Sequence, residues 1–294
     1  MSATSEIQLS AGTIQYEDTG GDGPVIVFVH GLLATGDLWA AVVPQLGGAR
    51  CIVPELPLGA HKKPMKPDAD VSPRGVANLI AELLDKLDLR DVTIVGNDTG
   101  GAISQLLVTE HPERIGKLVL TPSDSFEYFF PPQFKPLQVL SRIPGGLSLA
   151  LQPLRFKAIR KSPLGFGDVS KVGVPDELMV QALQPFFKDR GIRRDMTKFV
   201  RAVSKKDTLA AAERLRDFDR PTLLAWATED KFFPVKLAER LLERLPNGRL
   251  ELIEDSYTFV PFDQPERLVA LLQEFVPGSS SQFSVLSSQS EGAA

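Results

Sequence analysis

The chain has 294 residues, 43% of them hydrophobic, enough to bury one large core or one core with a small appended module. A formal net charge of −4 and no basic patch of the kind that nucleic acid needs argue against a nucleic-acid partner. No apolar run approaches the ~20 residues that span a bilayer.

The single cysteine, Cys51, can form no intramolecular disulfide and sits in the apolar run Cys51-Ile52-Val53, which reads as a buried structural thiol. Met1 to Ser10 is polar, with no basic-then-apolar leader, so it is not a secretory signal and the expected compartment is the cytoplasm. Ile7–Leu9 and Thr13–Tyr16 alternate about Ala11-Gly12 as an opening hairpin. Pro24 to Val29 is a continuous apolar run, as expected of a parallel strand covered on both faces. His30-Gly31-Leu32-Leu33 ends it, and Leu38 to Leu46 has the spacing of an amphipathic helix. Arg50–Val53 is a further strand, followed by the loop from Pro54 to His61.

Ser72-Pro73 is a helix start: the serine caps, and the proline stands where no N–H partner is needed. Val76, Leu79, Ile80, Leu83, Leu84 and Leu87 then follow at i, i+3, i+4 spacing. The strand Asp91–Ile94 leads into Val95-Gly96-Asn97-Asp98-Thr99-Gly100-Gly101, and a helix runs from there to about Glu110. Small residues at Gly96 and Gly100 flank one reactive side chain between strand and helix, the pattern that a sharp strand–turn–helix elbow demands. The nucleophile at its tip is Asp98. Lys117–Leu120 is the next strand. Alternating strands and helices at short spacing predict an α/β protein with a mostly parallel, doubly wound sheet. Ligands then gather past the C-terminal strand ends, where His30, His61, Asp98 and Asp124 fall.

From residue 122 to 217 the alternation stops, and prolines punctuate helical patches. This segment is read as a helical lid between a first core part, 1–121, and a second, 218–276. Tyr128, Phe129, Phe130, Phe134, Phe186 and Phe187 either line a pocket facing Asp98 or form the lid's own core. The sheet resumes with Pro221–Trp226, Asp230 follows, and a helix from Val235, a strand Arg249–Ile253 and a helix from Gln264 to Phe275 close the core. Residues 277–294 are rich in Ser, Gln and Gly and read as a disordered tail.

From about residue 5 to 276 the chain resembles the α/β-hydrolase superfamily. Four features carry the likeness in order: His30-Gly31 after the third strand, the elbow at Asp98, a lid after the sixth strand, and Asp230 after the seventh. An aspartate at the elbow resembles the haloalkane and fluoroacetate dehalogenase and epoxide hydrolase branch. The likeness implies an eight-stranded α/β-hydrolase fold and an oxyanion hole made by the backbone N–H groups of Leu32 and Thr99. It further implies that Asp230 is the acid that orients a catalytic histidine. A carboxylate nucleophile attacks a saturated or epoxide carbon and leaves an alkyl ester.

The histidine is missing. In the family it stands seven residues before the proline of a final segment like Asp263-Gln264-Pro265-Glu266, and that place holds Thr258, preceded by Tyr257; no histidine follows His111. Neither side chain titrates near neutrality, so neither replaces imidazole as a base. Thr99 also stands where dehalogenases usually carry tryptophan, Leu32 where they carry a halide donor, and the lid has one tyrosine, Tyr128, rather than an epoxide hydrolase's two. His30 is read as a brace of the oxyanion loop or a base, His61 as a solvated loop residue or a substrate contact, and His111 as surface. Asp124 can place a second carboxylate near Asp98. The expected function is hydrolysis of a small or medium apolar electrophile (a haloalkane, an epoxide or an ester-like compound) through Asp98 with non-standard water activation. The alternatives are a lyase, isomerase or cyclase using Asp98 as acid/base, or a binding protein on the same scaffold. No cofactor or metal is expected, and the sequence carries no signal of oligomeric state.

Overall fold

The computed structural model describes residues 4–276; the tail expected at 277–294 lies outside the described residues. Eight strands form one sheet in the order β1-β2-β4-β3-β5-β6-β7-β8. β1 (Thr4–Gln8) and β2 (Thr13–Asp18) form the opening hairpin, and β2 pairs antiparallel with β4 (Arg50–Pro54). Every later pairing is parallel: β3 (Val25–Val29), β5 (Val92–Asp98), β6 (Ile115–Ser123), β7 (Thr222–Ala227) and β8 (Gly248–Ile253).

The apolar runs of β3 and β7 are explained by cover on both faces. Val27 and Val29 pack into one core with α1 (Pro73–Lys86), α2 (Thr99–Glu110) and α9 (Val235–Leu242), while Ile26 and Phe28 enter a second core with Trp39 and α11 (Pro265–Phe275). Likewise Leu224 and Trp226 face the first core and Leu223 and Ala225 the second. Successive side chains of a strand point to opposite faces, so both must be apolar when helices cover both. The α1 start is as the sequence predicts: Ser72 Oγ accepts from Gly75 N at 3.0 Å, with Pro73 first in the helix.

Two expectations are corrected. Leu38–Leu46 does not form an amphipathic α-helix; two 3₁₀ turns, Gly36–Trp39 and Val43–Gln45, stand there. Pro44 has no N–H for an α-helical ladder, and the apolar side chains still reach the core from the tighter turns, with Leu38, Trp39 and Val42 buried. β6 also runs three residues past Leu120, to Ser123. Between β6 and β7 the chain adds no strand to the sheet and carries the helices α3 (Lys135–Leu140), α4 (Gly146–Ala150), α5 (Lys157–Arg160), α6 (Asp176–Lys188), α7 (Arg190–Ala202) and α8 (Lys205–Arg214). Asp189 caps α7 through Gly191 N and Ile192 N. The short α10 (Val260–Asp263) precedes α11.

Candidate active site

β5 ends and α2 begins at Asp98 itself, whose φ of 54° and ψ of −132° lie where non-glycine residues rarely go. The neighbours that allow this are glycines. A Cβ on Gly100 would stand 2.3 Å from the Val29 carbonyl oxygen, and one on Gly96 would stand 2.5 Å from Ser104 Oγ. A Cβ on Gly31 would meet Asp98 Oδ2 at 2.1 Å, so the turn after β3 is shaped around the carboxylate.

The backbone N–H groups of Leu32 and Thr99 donate to the Asp98 carboxylate. Burial nevertheless dominates and pushes this carboxyl up to about 7, and the charge of Asp230 adds to the rise. Asp98 forms the floor of a cavity of about 110 Å³ whose other walls are almost wholly apolar, among them Phe130, Phe134, Phe166, Phe232 and Phe259. Thr99 supplies the other polar side chain on its wall. Thr99 Oγ1 donates to Asp124 Oδ2 at 3.1 Å, so a second carboxyl stands directly behind Asp98. Asp124 is fully buried, its Oδ1 has no partner, and burial together with the Asp98 charge raises its proton affinity well above the ordinary range.

Asp230 lies past β7. Its Oδ1 accepts from Phe232 N at 2.7 Å and Phe233 N at 2.6 Å. Burial pushes its carboxyl up to about 6 against those two donors. Thr258, 1% exposed, stands close enough for its hydroxyl to lower the proton affinity of that carboxyl.

The remaining candidates separate. His30 is buried with both ring nitrogens engaged: Nδ1 is 2.9 Å from the Gly31 carbonyl, and Nε2 accepts from Leu56 N at 3.0 Å. Desolvation lowers its pKa to about 4, so it braces two loops as a neutral ring. His61 is not a solvated loop residue. It is 3% exposed, with Nε2 3.4 Å from Asp195 Oδ2 on α7, and it does not line the cavity. The correction has a physical reason: Asp195 also accepts from Met65 N at 2.7 Å, so the loop after β4 is fastened beneath α7 while Lys62 turns outward to Glu55. His111 stands behind α2 against Asn78 Oδ1 at 2.7 Å. Tyr128 opens onto a separate groove with Lys135 and Arg142, and the half-buried ring of Tyr257 lies under Lys231 Nζ at 4.6 Å; neither lines the cavity over Asp98. Of the aromatic residues between β6 and β7 named as pocket candidates, Phe130 and Phe134 reach the cavity, whereas Phe129, Phe186 and Phe187 do not.

The sequence assigns no role to Asn97, which stands between Gly96 and Asp98. Its Nδ2 donates to Thr258 O at 2.7 Å and to Thr121 Oγ1 at 2.8 Å, tying the elbow strand to the loop that carries Thr258. An amide side chain directly before Asp98 was the available signal.

The chain belongs to the alpha/beta hydrolase fold family, whose model matches residues 24–265. It is 26% identical over 266 residues to an uncharacterized protein of Mycobacterium tuberculosis, covering 87% of this chain and 76% of that one. Over 155 residues it is 31% identical to a haloalkane dehalogenase of Mesorhizobium japonicum, half of each chain. Among solved structures it resembles the epoxide hydrolase CorEH with a TM-score of 0.75 at 18% identity, over 94% of this chain and 98% of that one. This last likeness is one of fold.

Proposed function

We propose that the protein is a hydrolase in which Asp98 attacks a small or medium apolar electrophile, a haloalkane or an epoxide, and in which the resulting ester is hydrolysed without a histidine. The observation that carries the reading is the Asp98 carboxylate held by the N–H groups of Leu32 and Thr99 on the floor of an apolar cavity. A carboxylate oxygen forms the new bond to carbon; the carbon–halogen or ring carbon–oxygen bond breaks, and halide or alkoxide departs with the electron pair. The two donors then hold the spectator oxygen as the acyl group of the ester. The likeness over half of each chain to a protein named haloalkane dehalogenase agrees with this chemistry.

Hydrolysis of the ester needs a proton acceptor for water. Asp230, with a carboxyl near 6 and a charge that Asp98 feels, takes that proton and gives it to the departing alkoxide as the adduct collapses to the Asp98 carboxylate and the alcohol. A carboxylate of that basicity is a weaker base than imidazole, so the ester is long-lived. The segment between β6 and β7 serves as the lid that keeps the cavity apolar.

One observation favours a second reading, acid/base catalysis by Asp98 without a covalent step: a carboxyl near 7 is half protonated at neutrality. Intact-protein mass after incubation with a haloalkane and epoxide panel separates the two. A mass increase equal to the alkyl or hydroxyalkyl group, absent in Asp98→Asn, supports the nucleophile. Ligand isomerisation or solvent-hydrogen exchange with no mass increase rejects it in favour of the second reading.

A further inference from the structure

From Tyr128 to Gly167 the chain carries six Lys and Arg and no Asp or Glu, inside a protein whose formal charge is −4. The same stretch holds five of the nine large apolar side chains left exposed among the described residues: Val139, Ile143, Leu149, Phe156 and Leu164, the last at 81%. Such concentration is unusual, because isolated exposed apolar residues scatter over a surface.

The local structure explains how they come to be outside. α3, α4 and α5 are short helices: α3 packs on α4, and α4 and α5 both pack on the 3₁₀ turn Gln152–Arg155 before α5. α4 turns one side inward and leaves the other exposed: it buries Leu147 at 1% and shows Leu149 at 74%, while α3 leaves Val139 61% exposed. Lys135, Arg142, Lys157 and Lys161 are exposed among these apolar groups. None has a carboxylate within ion-pair distance among the described residues; Asp176, whose charge Lys157 and Lys161 feel, is taken by Arg160 through two contacts of 2.9 Å. Leu164 also lines the cavity over Asp98, together with Leu137, Leu151 and Leu154 beneath it, so the exposed apolar surface is continuous with the cavity wall.

We propose that the outer face of α3–α5 and the Pro163-Leu164 turn docks on an anionic lipid surface. Apolar side chains interleaved with unpaired cations are what such a surface recognises: the apolar groups enter the acyl boundary while ammonium and guanidinium groups meet phosphates. A nucleic acid would make no use of four exposed aliphatic side chains. A second copy of the chain, placed symmetrically on the same face, would set cation against cation. The docking stands independently of the chemistry at Asp98. Where that chemistry also holds, the apolar electrophile would reach the cavity from the bilayer past Leu164.

The test is flotation of the full chain with vesicles of equal phosphatidylglycerol and phosphatidylcholine, and with phosphatidylcholine alone. The expected result is binding to the anionic vesicles only, weakened by raising salt from about 0.05 M to about 0.5 M. Lys135→Gln/Arg142→Gln should weaken it about thirtyfold, each cation near such a surface being worth about fivefold. Leu149→Ser/Phe156→Ser should weaken it by at least tenfold, with an unchanged melting temperature because both side chains are exposed. Equal binding to neutral vesicles, or no binding to either, overturns the proposal. So does tighter binding to a single-stranded oligonucleotide than to anionic vesicles. A concentration-dependent dimer that the serine pair abolishes overturns it too.

Discussion

Replacing Asp98 by asparagine should stabilise the protein, and by an amount that depends on pH. In the folded chain burial moves this carboxyl from 3.8 to about 7. A folded-state pKa above the unfolded one means that the folded form holds the proton more tightly. The stabilisation is then complete below the unfolded value near 4 and is lost as pH rises toward 7. The carboxyl therefore costs the fold about 4 kcal/mol at pH 7.5, a value that follows from the displacement of its pKa. Asparagine keeps an amide oxygen for the Leu32 and Thr99 N–H groups and carries no charge at any pH. The expected gain is about 4 kcal/mol at pH 7.5, on the order of 8 °C in melting temperature, falling to near zero at pH 4. Reversible urea unfolding of both proteins at several pH values measures it. A gain independent of pH, or a loss at pH 7.5, would refute the reasoning, since Asp98 would then be comfortably ionised where it stands.

Three further outcomes follow from the same geometry. Thr258→His puts an imidazole beside Asp230 and should speed decay of the Asp98 ester by about 100-fold or more; it also overpacks a buried site, at a cost of about 1–3 kcal/mol seen in a thermal melt, and an unchanged decay rate would mean that the base has another source. Ester formation should rise with pH and level off above about 7, because the attacking group is the carboxylate; stopped-flow or quenched mass measurements that show a flat profile from pH 5 to 9 would contradict the burial argument. Asp195→Ala removes the acceptor of Met65 N and the partner of His61, and should cost about 2–3 kcal/mol by urea unfolding; a neutral effect would mean that the loop after β4 is not fastened through this carboxylate.

The sheet was legible because two-faced burial writes itself into β3, β5 and β7 as unbroken apolar runs, and the elbow because its glycines are forced by contacts of under 3 Å. The backbone donors to Asp98, Leu32 and Thr99, could be placed by position alone, since backbone groups do not depend on side-chain identity. His61 misled for a related reason: its lysine neighbours suggest solvent, but the carboxylate that buries it, Asp195, is 134 residues away in sequence. The cavity wall was only partly readable. Leu151, Leu154, Phe166, Phe232 and Phe259 converge from separate elements, and nothing local distinguishes them from ordinary core. The basic apolar stretch from 128 to 167 was hidden by a charge summed over the whole chain.

In the proposed hydrolysis an Asp98 oxygen ends in the alcohol and a water oxygen in Asp98. One turnover of a reactive haloalkane or epoxide in ¹⁸O-water, followed by mass analysis of the peptide that contains Asp98, tests this most directly. Attack by Asp98 on carbon, then by water on the Asp98 carboxyl carbon, predicts ¹⁸O in that peptide and unlabelled oxygen in the alcohol. Labelled alcohol with an unlabelled Asp98 peptide would contradict it.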